Sequence, residues 1–185
     1  MTKTYKFVIV GENGVGKSSI AIKYTKNEFF IDNSSTIGVD LFSKIENNIK
    51  INIWDTAGAC RFRSITSSFF RMSDAAIIVY DITNKYTFEN ISYWLEQAND
   101  KIKYKSYIFL VGNKNDIEEN REVSTLEGQN FANEQGLKFF EVSAKNGNKI
   151  NEMFSEITTI IKKPEECQKE IELIENEDKC FFCKN

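Results

Sequence analysis

The sequence predicts an α/β fold: a mixed, mostly parallel six-stranded sheet with helices on both faces. Three observations predict it. Short apolar runs alternate with helix-period segments from Tyr5 to Lys162. The turn Gly11-Glu12-Asn13-Gly14-Val15-Gly16-Lys17-Ser18 joins the apolar run Phe7-Val8-Ile9-Val10 to the amphipathic stretch Ser19-Ile20-Ala21-Ile22-Lys23-Tyr24. Polar motifs directly follow later apolar runs, and open α/β sheets bind ligands beyond the carboxyl ends of their strands.

Taken in order, Tyr5–Val10 reads as the first strand and the stretch from Ser19 as a helix. Val39–Ile45 and Ile49–Trp54 alternate around Glu46-Asn47-Asn48, the pattern of a hairpin. Ala75–Tyr80 is apolar throughout, as a strand buried on both sides must be. Thr87–Ile102 has helical period, and Tyr107–Val111 is a strand. Ser124-Thr125-Leu126-Glu127 forms a capping box that opens a helix over Ser124–Gln135. Lys138–Val142 is a strand, and Asn148–Lys162 a helix that stops before Pro164, the only proline.

Composition narrows the chemistry. The 185 residues fit one domain plus a tail, and 41% hydrophobic content with 15 Phe can fill a substantial core. A net charge of −3 gives no general attraction to nucleic acid, so none is expected as a partner. The absence of histidine excludes imidazole catalysis and His-ligated metal. Cys60, Cys167, Cys180 and Cys183 suggest no disulfide framework, which favours a reducing, cytosolic compartment. The start, Met1-Thr2-Lys3-Thr4, carries neither a signal-peptide core nor a Gly at position 2, so neither secretion nor myristoylation is expected.

The turn from Gly11 to Ser18 has the spacing that cradles a phosphate chain. Gly11 and Gly16 let the backbone curl so that successive N–H groups point inward. The helix starting near Lys17 adds its positive end. Glu12, Asn13, Gly14, Val15, Gly16 and Ser19 complete the cradle, Lys17 can reach the β- and γ-phosphates, and the Ser18 hydroxyl can hold Mg²⁺. Asp55-Thr56-Ala57-Gly58 follows the strand ending at Trp54. Its carboxylate is placed for the second half of a metal site, and Gly58 can bring its N–H close to a terminal phosphate. Asn113-Lys114-Asn115-Asp116 follows a later strand. Asp116 can accept from guanine N1–H and N2–H₂, a donor pair that adenine lacks, while Lys114 lays its stem over the ring. In Ser143-Ala144-Lys145, after the next strand, the Ala144 N–H can meet the base O6.

Together Gly11–Ser18, Thr36, Asp55–Gly58, Asn113–Asp116 and Ser143–Lys145 resemble the nucleotide motifs of Ras-superfamily small GTPases. Ser35-Thr36-Ile37-Gly38-Val39-Asp40, Ile53-Trp54-Asp55-Thr56-Ala57-Gly58 and Arg61-Phe62-Arg63-Ser64-Ile65-Thr66 are similar to Rab switch and interswitch segments. The resemblance implies a three-layer P-loop NTPase fold over 1–163 and a monomeric GTPase that binds GTP or GDP with Mg²⁺ and switches vesicle traffic. It implies catalytic roles for Lys17, Thr36 and Gly58, metal ligation by Ser18, Thr36 and Asp55, and stacking of Phe29 on the guanine edge. Effectors would read switch I, switch II and the patch Leu41, Trp54 and Phe69. An exchange factor and a GTPase-activating protein are implied as further partners.

The chain departs from that pattern at several positions. Ala59-Cys60-Arg61-Phe62 stands where the family has Gln-Glu-Arg-Phe, so the side chain that orients the attacking water is missing. Loss of one such group typically costs about 2–4 kcal/mol, roughly a hundredfold or more in rate. Weak intrinsic hydrolysis is therefore expected, although Rab activators of the TBC class can supply both an Arg and a Gln. Asn13 lies near the γ-phosphate position, Asn33 replaces a frequent switch I tyrosine, Leu41 replaces a Phe, and the Glu46-Asn47-Asn48 hairpin is short. Residues 164–185 form an acidic tail, read as flexible, that ends Cys180-Phe181-Phe182-Cys183-Lys184-Asn185. Lipidation of Cys180 and Cys183, and with it attachment to the cytosolic face of an endomembrane, is the expectation, although the ending is not a CaaX box. A constitutively GTP-loaded scaffold is the alternative that Ala59 raises. A P-loop kinase or ATPase is disfavoured by Asp116 and Ser143-Ala144-Lys145.

Overall fold

The computed structural model describes residues 3–30, 36–58, 68–104 and 107–162. Six strands, β1 (Lys3–Val10), β2 (Val39–Glu46), β3 (Ile49–Thr56), β4 (Ala75–Asp81), β5 (Ile108–Asn113) and β6 (Lys138–Glu141), form one sheet in the order β2-β3-β1-β4-β5-β6. Only the β2–β3 pair is antiparallel; β1 lies parallel to β3 and β4, β4 to β5, and β5 to β6. The β2–β3 connection is a two-residue turn in which Asn47 and Asn48 both have positive φ, 49° and 60°. That conformation matches the twist of a hairpin, and asparagine tolerates it better than most residues.

Helices cover both faces, as the register makes plain. On one side Phe154, in the closing helix α6 (150–162), stacks on Phe7 of β1 and on Tyr24 of α1 (Lys17–Lys26). Val8 and Val10 point the other way, and the pairing Val10↔Ile78 puts Tyr80 on that same opposite side. There Tyr80 meets Phe88 of α3 (Lys85–Glu89), which in turn meets Phe131 of α5 (Thr125–Gln135). A helical turn at 68–71 (α2) and helix α4 (Ile91–Asn99) complete the set. Strand β4 is buried along its whole length and β1 from Phe7 to Val10, which explains their uninterrupted apolar runs.

Two helices differ from the sequence expectation. The span 87–102 is divided: α3 starts at Lys85, and α4 follows after Asn90. Asn84 accepts a hydrogen bond from the Tyr86 N–H at 3.1 Å and so starts the helix early. The Asn90 amide donates to the Tyr86 carbonyl at 2.8 Å, a side-chain bond that competes with the helical ladder. At the other end α6 begins at 150, not 148, because Lys149 is left-handed, φ 57°. The Ser124–Glu127 capping box is present as expected. Ala59, Cys60 and the tail 164–185 lie outside the described residues.

Candidate nucleotide-binding site

The carboxyl ends of β1, β3, β5 and β6 open onto a cavity of about 380 Å³. Asn13, Gly14, Gly16, Lys17, Ser18, Ser19, Phe29, Thr36, Gly58, Asn113, Lys114, Asp116, Ala144 and Lys145 line it, together with Phe30 and Ile117. Fourteen of these sixteen were candidates on sequence grounds; Phe30 and Ile117 were missed. Their signal was adjacency alone: each is an apolar residue beside a candidate, Phe29 or Asp116.

At one end sits a cationic and hydroxylic corner. The Lys17 ammonium donates to the Glu12 carbonyl at 2.8 Å. Burial lowers its pKa to about 8, against the opposing pull of the Asp55 and Glu12 charges. Beside the ammonium the Ser18 hydroxyl donates to Asp55 Oδ2 at 2.5 Å and lies 2.9 Å from the Thr36 hydroxyl, which itself donates to Asp55 Oδ2 at 3.3 Å. Asp55 Oδ1 is buried and accepts no hydrogen bond. Burial raises the Asp55 pKa, with the Ser18 bond opposing the shift. Two hydroxyls and one carboxylate, with an acceptor left over, suit a hard cation that takes its remaining ligands from phosphate and water, as Mg²⁺ does. Among the described residues no group of three His, Cys, Asp or Glu could hold a metal by itself.

Gly58 closes this corner. A Cβ there would lie 2.6 Å from the Asn13 nitrogen and 2.6 Å from the Glu12 carbonyl carbon. Only glycine lets the end of β3 approach the glycine-rich turn so closely.

The opposite end carries Asp116. Its Oδ1 accepts from the Ser143 hydroxyl, which fixes the carboxylate plane. Its Oδ2 is buried and accepts no hydrogen bond; the nearest cation, Lys145 Nζ, is 3.8 Å away. Such an orphaned acceptor in a cavity wall is costly unless a ligand donates to it. Lys114, in the left-handed conformation at φ 72°, sends its ammonium to Asp81.

Several candidates turn out to hold the walls. Asn113, 1% exposed, donates from Nδ2 to the Val15 carbonyl at 2.8 Å and accepts from the Ala144 N–H at 3.1 Å. It ties the glycine-rich turn to the loop after β6. The Ala144 N–H, expected to meet a base O6, is engaged by Asn113 here, because the two loops approach within hydrogen-bond reach. Val15 is fully buried in the core, and the Glu12 carboxylate accepts from the Trp94 indole at 3.2 Å; neither lines the cavity. Ser143 stands behind Asp116, and Asp55 behind Ser18 and Thr36.

A glycine-rich turn opening a helix, a corner of two hydroxyls and a carboxylate, and a second carboxylate with one oxygen that accepts no hydrogen bond define the class: a guanine-nucleotide-binding P-loop protein. The Ras family model matches residues 6–163. The chain belongs to the Ras family. It is 43% identical over 161 residues to GTP-binding protein ypt3 of Schizosaccharomyces pombe, covering 85% of this chain and 75% of that one. It is 42% identical to Ras-related protein Rab-11C of Dictyostelium discoideum, over 85% of this chain and 72% of the relative. Ras-related protein YPTC6 of Chlamydomonas reinhardtii is 41% identical, over 85% and 74%. The protein is a Rab-type small GTPase that binds GTP and GDP with Mg²⁺ and acts as a GTP-binding switch in vesicle trafficking.

Proposed function

We propose that Asn13 to Ser19 cradle the phosphates of the guanine nucleotide and that Ser18, Thr36 and Asp55 hold its Mg²⁺. Asp116 accepts from the guanine N1–H and N2–H₂, between the Lys114 stem and Phe29. One observation carries this reading: Asp116, whose buried Oδ2 accepts no hydrogen bond, lines the same cavity as Lys17 and Ser18. Bound Mg²⁺ would neutralise charge on the β- and γ-phosphate oxygens. The Lys17 ammonium does the same from the protein side, and the Gly58 N–H donates to the terminal phosphate. Thr36 registers whether that phosphate is there.

Hydrolysis is slow in this reading. Ala59 offers a methyl group where an amide would orient water, and small GTPases with that amide already turn over at only about 10⁻⁴ per second unaided. Single-turnover hydrolysis of bound GTP tests it. Ala59→Gln is expected to accelerate the reaction roughly a hundredfold. A wild-type rate equal to that of the Gln variant refutes the reading. A wild-type protein that stays loaded even with an activating protein of the TBC class fits the scaffold alternative that Ala59 favours.

Effectors read the switches and the interswitch patch. Leu41, 51% exposed, pairs across β2–β3 with Trp54, whose ring lies 5.0 Å from that of Phe69. Residues 1–163 form the switch domain, a monomer without nucleic-acid partners, and 164–185 the acidic tether. Among the described residues no helix is long and apolar enough to cross a membrane. Attachment to the cytosolic face of an endomembrane would rest on prenylation of Cys180 and Cys183. Intact mass from a prenylating host checks this, and an unmodified terminus refutes it.

A further inference from the structure

Lys114 stands in the cavity wall at φ 72°, a conformation that a non-glycine residue keeps only when its surroundings fix it. The backbone there is held by the loop itself, the Ile117 N–H donating to the Lys114 carbonyl at 3.0 Å; the side chain is held from the neighbouring strand. Asp81, the last residue of β4, pairs in register with Asn113, the residue before Lys114. Asp81 is 5% exposed. Its Oδ1 accepts from the Thr83 N–H at 2.9 Å and the Thr83 hydroxyl at 2.7 Å, and its own N–H donates to the Thr87 hydroxyl at 3.0 Å. Its other oxygen, Oδ2, takes the Lys114 ammonium. The carboxylate is thus anchored before it meets the lysine, and it draws the charged end out of the cavity while the methylene stem stays in the wall.

We propose that Asp81 is a positioning residue for guanosine binding: it holds the Lys114 stem as a flat apolar wall for the purine without touching the nucleotide. This rests on the reading of Lys114 as one side of the base slot. Without Asp81 the lysine side chain can leave the wall, and the base loses a packing surface that was ordered before it arrived. The effect is on the nucleoside part, so GDP and GTP are released faster by the same factor.

Release of fluorescent GDP and GTP from wild type, Asp81→Asn, Lys114→Ala and the double variant tests this. Asn keeps the size of Asp81 and an oxygen for Thr83 but removes the charge. Asp81→Asn is expected to release both nucleotides roughly tenfold faster, the typical effect of losing one charge-assisted bond. In the Lys114→Ala background it adds nothing, because the residue it acts through is gone. Release from Asp81→Asn at the wild-type rate overturns the proposal. So does an equal acceleration in the Lys114→Ala background, which would mean that Asp81 merely supports the fold. A wild-type chain without preference for guanine nucleotides overturns the site reading itself and this role with it.

Discussion

Asn113 makes the sharpest test of how the cavity is held together. Its two polar atoms join two loops that no backbone ladder connects: Nδ2 donates to the Val15 carbonyl at 2.8 Å, and Oδ1 accepts from the Ala144 N–H at 3.1 Å. Asn113→Ala leaves both backbone groups buried and unpaired. At about 1 kcal/mol net for each bond, the cradle and the base loop lose about 2 kcal/mol of mutual support, roughly thirtyfold in nucleotide release. Asn113→Asp separates bonding from packing. It preserves volume and keeps an acceptor for Ala144, but it sets a carboxylate oxygen against the Val15 carbonyl where a donor stood.

If the amide acts as a strap, release from the Asp variant is at least as fast as from the Ala variant. If Asn113 merely fills space beside Gly16, Asp behaves like wild type and only Ala is fast. Displacement of fluorescent GDP by excess unlabelled nucleotide, followed in time, distinguishes the two orders. An Asp variant with the wild-type rate refutes the strap.

Two further outcomes follow from the same geometry. Asp116→Asn exchanges a pure acceptor for an amide, so GTP should bind at least a hundredfold more weakly while xanthine nucleotides, with an acceptor at position 2, bind better; two charge-assisted bonds at about 1.5–3 kcal/mol each set the scale, and competition against both nucleotides measures it. Gly58→Ala forces the end of β3 off the cradle, since the new methyl would sit 2.6 Å from backbone atoms of both Asn13 and Glu12. It should cost about 1–3 kcal/mol and lower the melting temperature of the loaded protein by several degrees.

Much of this was legible in the residues themselves. The unbroken apolar runs at β1 and β4 announce strands covered on both sides, and the glycine-rich turn after β1 announces the cradle. The break at Asn90 was not legible, because it depends on a side-chain amide competing with the helix for the Tyr86 carbonyl, and periodicity is blind to that contest. Lys17, Asp55 and Asp116 were singled out because their chemistry agrees with their places at or just beyond the strand ends of one rim, and Lys17 and Asp116 do line the cavity. Asp81 was passed over. It ends a strand, but its partner is a lysine 33 residues away, brought alongside only by the β4–β5 register. Glu12 and Val15 were counted with the cradle by spacing alone. A turn this tight must send some side chains back toward the core, and Val15 sits there at 0% exposure.

The distribution of satisfied and unsatisfied atoms explains why loss of one catalytic group need not cost the nucleotide. Asn113, Ser143 and Asp81 use their polar atoms on protein partners and so shape the cavity before any ligand enters. Asp55 and Asp116 each keep one buried oxygen without a hydrogen bond, at the phosphate end and the base end respectively. A ligand that answers both must carry a cation near its phosphates and a pair of N–H donors on its base, separated by the length of the cavity. On the proposed reading, affinity is built into the scaffold and its two orphaned acceptors, whereas hydrolysis depends on how the attacking water is aimed. A substitution at position 59 can lengthen the GTP-bound state while leaving recognition of the nucleotide as it was.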